Sequence, residues 1–186
     1  MLLLARHRIE TDRLALRHPE DTDAERIAEL ANHIEIAQNL ATMPHPYGVN
    51  DANEFIAKVA TAKQGATFVV VCKGDDDVIG MAGYGPVEAG DHIDFGYWLG
   101  RDYWGKGYAS EAAQAVLTHA FCIGRVDEID TDCRIDNPGS RRILDKLGFQ
   151  SSGPRERYSL GANETVPTEG VRLSCDDWLA TKAVSA

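Results

Sequence analysis

Long hydrophobic runs are missing from this chain of 186 residues. The apolar stretch Met1, Leu2, Leu3, Leu4, broken by Arg6 and His7, is too short for a signal peptide, and no later stretch approaches a membrane span. The expectation is a cytoplasmic protein with no membrane partner. Cysteine is sparse and scattered: Cys72, Cys122, Cys133 and Cys175 form no C-x-x-C pair, and no His and Cys cluster has metal-ligand spacing. Four reduced, mostly buried thiols and no metal are expected. Positive charge is short, with 19 Lys and Arg against 29 Asp and Glu. Between Glu20 and Gly100 the imbalance reaches 14 acidic residues against four basic ones. That argues against a nucleic-acid footprint, and it suits either simple solubility or the steering of a cationic partner. Repeats, linkers and low-complexity segments are also missing, so residues 1–186 are expected to form a single domain.

What is present is a mixture of strand and helix patterns. Residues 11–17 alternate as a first strand. Asp21 and Thr22 open a helix whose Ala24, Ile27, Ala28, Leu30 and Ala31 share a face. Two prolines and a glycine make 43–48 a loop, after which Asn50 is expected to cap a second helix carrying Phe55, Ile56, Val59 and Ala60. Residues 67–72 and 78–84 read as a hairpin, followed by a strand over 92–99. A glycine-rich turn, Trp104-Gly105-Lys106-Gly107, leads into a helix with Ala109, Ala112, Ala113, Val116, Leu117, Ala120 and Phe121 on one broad stripe. Ile129, Thr131 and Cys133 alternate in another strand. Asn137, Pro138 and Gly148 bracket a short helix with the usual start and stop signals. Phe149 onward and 169–175 read as the last two strands, joined by a polar connection. The order implies an α/β (α+β) fold, one sheet with helices on both faces.

The chemistry starts at the glycine turn. A strand ends, two glycines turn the chain tightly, and a helix begins at once. Its first N–H groups have no intrahelical acceptor and its dipole end is positive, which suits a pyrophosphate. A Walker loop requires Ser or Thr after Gly-Lys, whereas Gly107 follows Lys106. A Rossmann fingerprint requires a third glycine where Ser110 stands. The remaining nucleotide-type ligand is coenzyme A.

The segment Asp94-Phe95-Gly96-Tyr97-Trp98-Leu99 followed by Trp104-Gly105-Lys106-Gly107-Tyr108-Ala109-Ser110-Glu111-Ala112 resembles the acetyl-CoA motif of GNAT acetyltransferases, most of all the RimJ/RimL-like branch. Asn137-Pro138-Gly139-Ser140 with Leu147-Gly148-Phe149, and the opening Glu10-Thr11-Asp12-Arg13-Leu14-Ala15-Leu16-Arg17, complete the resemblance over essentially the whole chain. The resemblance implies a strongly bent mixed sheet in which two parallel strands, 92–99 and 127–133, splay apart to admit pantetheine. Trp98, Leu99 and Gly100 would offer it backbone groups. Trp104, Gly105, Lys106, Gly107, Tyr108, Ala109 and Ser110 would hold the pyrophosphate, and Asn137 would bond the pantetheine. Lys106, Arg141, Arg142 and Lys146 are candidates for the phosphates. Two departures stand out. Trp104 occupies the position where the superfamily usually has Gln or Arg, as is common in this branch. Leu144 occupies the position of the tyrosine that many members use as general acid.

The implied reaction is direct transfer of an acetyl group from acetyl-CoA to an amine. It needs a neutral amine, a polarised carbonyl and a proton for the departing thiolate. Ser140 is the candidate acid, set against a purely local role at the helix start. Asp94 is the candidate base, set against a structural role, with His92 and His45 as lesser candidates. The branch implies a peptide or protein N-terminal amine as acceptor; a small amine, or a non-catalytic acyl-CoA sensor, are the alternatives. The loops over 43–50 and 153–170 are expected to shape the acceptor side. Monomer and homodimer both remain open.

Overall fold

The computed structural model describes residues 8–87 and 92–184. The elements follow in the order β1 (Ile9–Glu10), β2 (Leu14–Arg17), α1 (Ala24–Ala31), α2 (Ile34–Ala37), α3 (Val49–Ala60), β3 (Ala66–Cys72), β4 (Asp77–Pro86), β5 (Ile93–Leu99), α4 (Tyr108–Cys122), β6 (Glu128–Arg134), α5 (Pro138–Leu147), β7 (Gln150–Ser159), β8 (Glu164–Ser174) and α6 (Cys175–Val184). Among the described residues the eight strands form one sheet, ordered β1-β2-β3-β4-β5-β6-β8-β7. Every neighbouring pair is antiparallel except β5 and β6.

The strand period explains the layers. In β3, Phe68 and Val70 point to one face and Val69 and Val71 to the other, and all four are buried. The first face packs with Val116, Leu117 and Phe121 of α4, Leu144 and Leu147 of α5, and Trp178 of α6. The second packs with Ile27, Leu30 and Ala31 of α1 and Ala52 and Ile56 of α3. Burying each of the larger apolar side chains among these stabilises the fold by about 1.5–3 kcal/mol relative to leaving it exposed. A strand buried on both faces therefore anchors two helical layers at once.

Several boundaries differ from the sequence reading. The strand expected over 11–17 is broken: Thr11 N–H donates to Leu14 C=O at 2.9 Å, and the chain turns there between β1 and β2. The second helix starts at Val49, not after Asn50, because Asp51 Oδ2 reaches back to accept the Gly48 N–H at 2.8 Å. The stretch 153–170 is no loop; most of it lies in the β7–β8 hairpin, which pairs from Gln150↔Arg172 to Ser159↔Glu164. Of the four thiols, only Cys133 is buried; Cys72 and Cys175 are partly covered and Cys122 is exposed, all unbridged.

The tip of that hairpin rests on the segment after α2. Ser159 Oγ donates to the Gln38 carbonyl at 3.0 Å and Leu160 N–H to the Ala41 carbonyl at 3.0 Å. A Cβ on Gly161 would lie 2.8 Å from the Ala37 carbonyl carbon, so the approach requires glycine.

Candidate active site

The glycine turn forms as its composition demands. Gly105 and Gly107 take φ of 72° and 80°, a region that costs other residues about 1–2 kcal/mol. Gly107 is the N-cap of α4, and the first helical bond runs from Glu111 N–H to Gly107 C=O at 3.2 Å. The amides of Tyr108, Ala109 and Ser110 lie ahead of that bond, at the positive end of a helix of 15 residues. Trp104 is 49% exposed, and its indole N–H donates to the Leu99 carbonyl at 2.8 Å.

A carboxylate in this first turn, Glu111, would oppose an anion, but its charge is directed elsewhere. It accepts from Thr11 Oγ1 at 2.6 Å, from the Arg13 N–H at 2.9 Å and from Arg13 Nε at 2.7 Å. Burial alone would raise its pKa; these donors outweigh it and hold the carboxyl below its ordinary value. Arg13 Nη1 also donates to the Lys106 carbonyl at 2.9 Å, and its guanidinium lies 4.7 Å from the centre of the Tyr108 ring. Arg13 thus braces the turn. Sequence reasoning placed it in a motif without giving it a role. The Lys106 ammonium sits 5.6 Å from the Tyr103 ring centre.

Beside this turn the sheet opens. β5 and β6 pair in register only at Ile93↔Ile129, whereas β6 pairs with β8 along all of its own length, from Glu128↔Ser174 to Arg134↔Thr168. Thr131 Oγ1 donates to the Phe95 carbonyl at 3.1 Å and closes the narrow end. The Gly100 N–H donates to Ile79 of β4 at 2.9 Å. Strand alternation then turns the peptide groups of Tyr97 and Leu99 toward the opening and those of Trp98 and Gly100 toward β4. Trp98 was expected to face the gap by its backbone; its peptide groups face β4 instead, and the indole packs against the second core layer.

On the α4 and α5 side of the opening stands Ser140. Asn137 caps α5, its Oδ1 accepting the Ser140 N–H at 3.1 Å. Ser140 Oγ lies 3.1 Å from the Tyr97 hydroxyl, which reaches across from β5. Burial pushes the Tyr97 phenol up to about 12. Leu144, one turn further along α5, is 3% exposed and belongs to the core. The Cys133 thiol, on the β6 wall, is also pushed up by burial, and it lines a cavity of about 230 Å³ with Arg134, Ile135, Arg141 and Glu169. Of the other proposed phosphate ligands, Arg141 pairs with Asp145 at 2.8 Å, and Arg142 and Lys146 are exposed.

The opposite face carries carboxylates. Asp94 is exposed, and its Oδ1 accepts the Phe95 N–H at 2.8 Å. A Cβ on Gly96, two residues on, would meet nothing within 4 Å, so this face of β5 is open. Asp132, on the β6 wall, was not singled out from sequence. Burial pushes its carboxyl above the ordinary value, and the neighbouring Asp94 adds to this, while Arg157 at 3.0 Å works against it. Asp130 goes the other way: Arg155 at 2.7 Å and Arg172 at 3.0 Å outweigh its burial and hold it low. His45 and His92 are exposed. No group of His, Cys, Asp or Glu suited to a metal occurs among the described residues, and none of their helices is long and apolar enough to cross a membrane.

Residues 13–150 match the family model described as "Acetyltransferase (GNAT) domain". An uncharacterized N-acetyltransferase, p20 of Bacillus licheniformis, is 30% identical over 80% of this chain and 85% of its own length. The ribosomal protein uS5-alanine N-acetyltransferase of Escherichia coli is 27% identical over 92% of both chains. Among solved structures, the ribosomal-protein-S5-alanine acetyltransferase of Vibrio fischeri superposes with a TM-score of 0.77 at 22% identity, covering 92% of this chain and 98% of its own. The RimL ribosomal α-N-protein acetyltransferase, solved in complex with coenzyme A, reaches 0.79 at 17% identity, covering 92% and 99%. The span matched by the family model holds the glycine turn, both walls of the sheet opening and the start of α5, and the chain belongs to the GNAT acetyltransferase family.

Proposed function

We propose that this acetyltransferase moves the acetyl group of acetyl-CoA onto the α-amine of a peptide or protein N-terminus. The observation that carries the reading is the position of the opening. It separates the amides of α4 and the hydroxyl of Ser140 on one face from the carboxylates of Asp94 and Asp132 on the other. The residues fit coenzyme A: positive-φ glycines keep Cβ atoms off two positions of the phosphate cradle, and the inward peptide groups of Tyr97 with the Leu99 N–H supply strand-like hydrogen bonds to pantetheine, the Leu99 carbonyl being held by the Trp104 indole. Acetyl-CoA brings the thioester; the chain positions it and handles the protons.

The acceptor approaches from the carboxylate face. Most N-terminal amines are partly protonated near neutral pH, and attack requires the neutral form. Asp94, exposed beside the open surface of Gly96, receives the amine proton through water. Asp132 adds negative potential to the same face. Ser140 then gives its proton to the departing sulfur. Relatives named as ribosomal-protein alanine and serine acetyltransferases support a protein N-terminus over a small amine.

The test incubates the protein with acetyl-CoA and two peptides, one with a free and one with a blocked α-amine, both containing lysine. Fragment spectra are expected to show acetylation at the free α-amine alone. Activity restricted to a small polyamine or aminoglycoside would overturn the acceptor while leaving acetyl transfer intact.

A further inference from the structure

The family tyrosine absent at Leu144 leaves a chemical gap, because a serine hydroxyl is a poor acid when it acts alone. We propose that Tyr97 fills the gap as a positioning residue: its phenol donates to Ser140 Oγ and aims the proton of Ser140 at the sulfur. The inference rests on the acid role assigned to Ser140 above.

Geometry supports it first. Tyr97 and Ser140 stand on opposite sides of the opening, one on β5 and the other on the first turn of α5, with their oxygens 3.1 Å apart. The inward face of β5 directs the phenol there, and the Phe95 ring, 5.6 Å away between centres, packs beside it. The backbone that carries Ser140 is fixed, since its N–H is held by Asn137 Oδ1 and the helix starts at Pro138.

The direction of the hydrogen bond follows from acidity. A hydroxyl oxygen accepts and donates at once. Of the two groups the phenol is the stronger donor, and burial keeps it protonated throughout the working range of an enzyme. Tyr97 therefore donates and Ser140 Oγ accepts, which strengthens the remaining O–H of Ser140 as a donor. The neighbouring Cys133 thiol is held neutral by burial, so it places no negative charge against the phenol.

The proton balance closes through this pair. As the amine nitrogen bonds to the acetyl carbon, the C–S bond breaks and its electron pair leaves with sulfur. Sulfur takes the Ser140 proton while Ser140 Oγ takes the Tyr97 proton along the existing hydrogen bond. The attacking nitrogen sheds its proton through water on the Asp94 face as the amide forms, and the phenolate takes one back from solvent as the thiol leaves, so one proton exits for the one that enters. No free serine alkoxide forms.

Tyr97→Phe keeps the ring and removes only the hydroxyl, so it tests the inference directly. With acetyl-CoA and a reactive amine, kcat is expected to fall at least tenfold, while calorimetric affinity for acetyl-CoA stays within about twofold. In a Ser140→Ala background the same substitution is expected to change kcat less than twofold, because the two groups act as one unit. If Tyr97→Phe turns over at the wild-type rate while Ser140→Ala is slow, the Tyr97 role is wrong and the Ser140 role stands. If the two losses multiply, Tyr97 does not act through Ser140 and the inference is overturned. A Ser140→Ala variant with wild-type kcat removes the acid reading itself. Thermal melts of all three variants separate a folding defect from these outcomes, and Tyr97→Leu replaces Tyr97→Phe if the latter does not fold: an apolar side chain with no donor there must also be slow.

Discussion

Replacing Gly107 with valine places a branched side chain where the backbone has a φ of 80°. Two costs follow, and they can be measured apart. The first is conformational: a non-glycine residue in this region loses about 1–2 kcal/mol, and for a chain of this size that lowers Tm by roughly 2–8 °C. The second is local. A Cβ at this position lies 3.3 Å from Arg13 Nη2. The guanidinium can yield, but in yielding it leaves the Lys106 carbonyl and Glu111, the contacts that brace the turn. Both the approach to the α4 amides and their orientation suffer, and acetyl-CoA affinity should fall at least about tenfold, or about 1.4 kcal/mol. Calorimetry at fixed pH and salt reads this, with a thermal melt confirming that the variant is folded at the titration temperature. Gly105→Ala supplies the control: its φ is 72°, yet its Cβ meets nothing within 4 Å, so it should share the loss of stability more than the loss of affinity. A folded Gly107→Val protein that binds acetyl-CoA like wild type would refute the assignment of this turn to the phosphates.

Ser140→Ala should lower kcat and leave acetyl-CoA affinity nearly unchanged, as stopped thiol-release assays and calorimetry will show. Asp94→Asn should lower kcat/KM with the peptide acceptor; an acid limb that vanishes in Asp132→Asn, whose carboxyl burial holds above its ordinary value, makes Asp132 the base. Asp23 is buried and bound by Arg17 through two 2.7 Å contacts and by the Glu20 N–H, which together outweigh burial and hold its carboxyl below the ordinary value. A depressed carboxyl stabilises above its unfolded pKa and loses that contribution as pH falls through its folded one. Asp23→Ala should therefore cost about 3 kcal/mol in urea melts at pH 7, with the difference from wild type shrinking as pH falls below about 3.8.

The parts legible in sequence are those where apolar spacing or turn chemistry acts locally. The stripe of α4, the Asn137-Pro138 start and Gly148 end of α5, and the apolar run of β3 all stand where their residues imply. The β7–β8 hairpin was legible only at its outer ends, as strands from Phe149 onward and over 169–175; the rest was read as a connection because its alternation is carried by charge. Arg155 and Arg157 point inward to Asp130 and Asp132, a period of two that an apolar count cannot register. α6 was missed for a related reason: among its described side chains only Trp178 is buried, and it docks the helix against Phe121. At the site, the glycine turn announces itself, but the Tyr97–Ser140 contact joins residues 43 apart in the chain. Nothing local in either segment reports the other.

The hairpin tip and the segment after α2 meet through contacts that leave little room for independent change. Gln38 and Ser159 are 121 residues apart, yet Gly161 lies against the Ala37 backbone and Leu160 hangs from Ala41. For anyone recombining this chain with a relative, these are two halves of a single cassette. A transplanted hairpin carrying a side chain at position 161 would arrive without a seat, and a transplanted 37–41 segment would lose its support. Libraries should diversify both segments together, since a crossover between them yields chains whose failure reports a broken joint and nothing else.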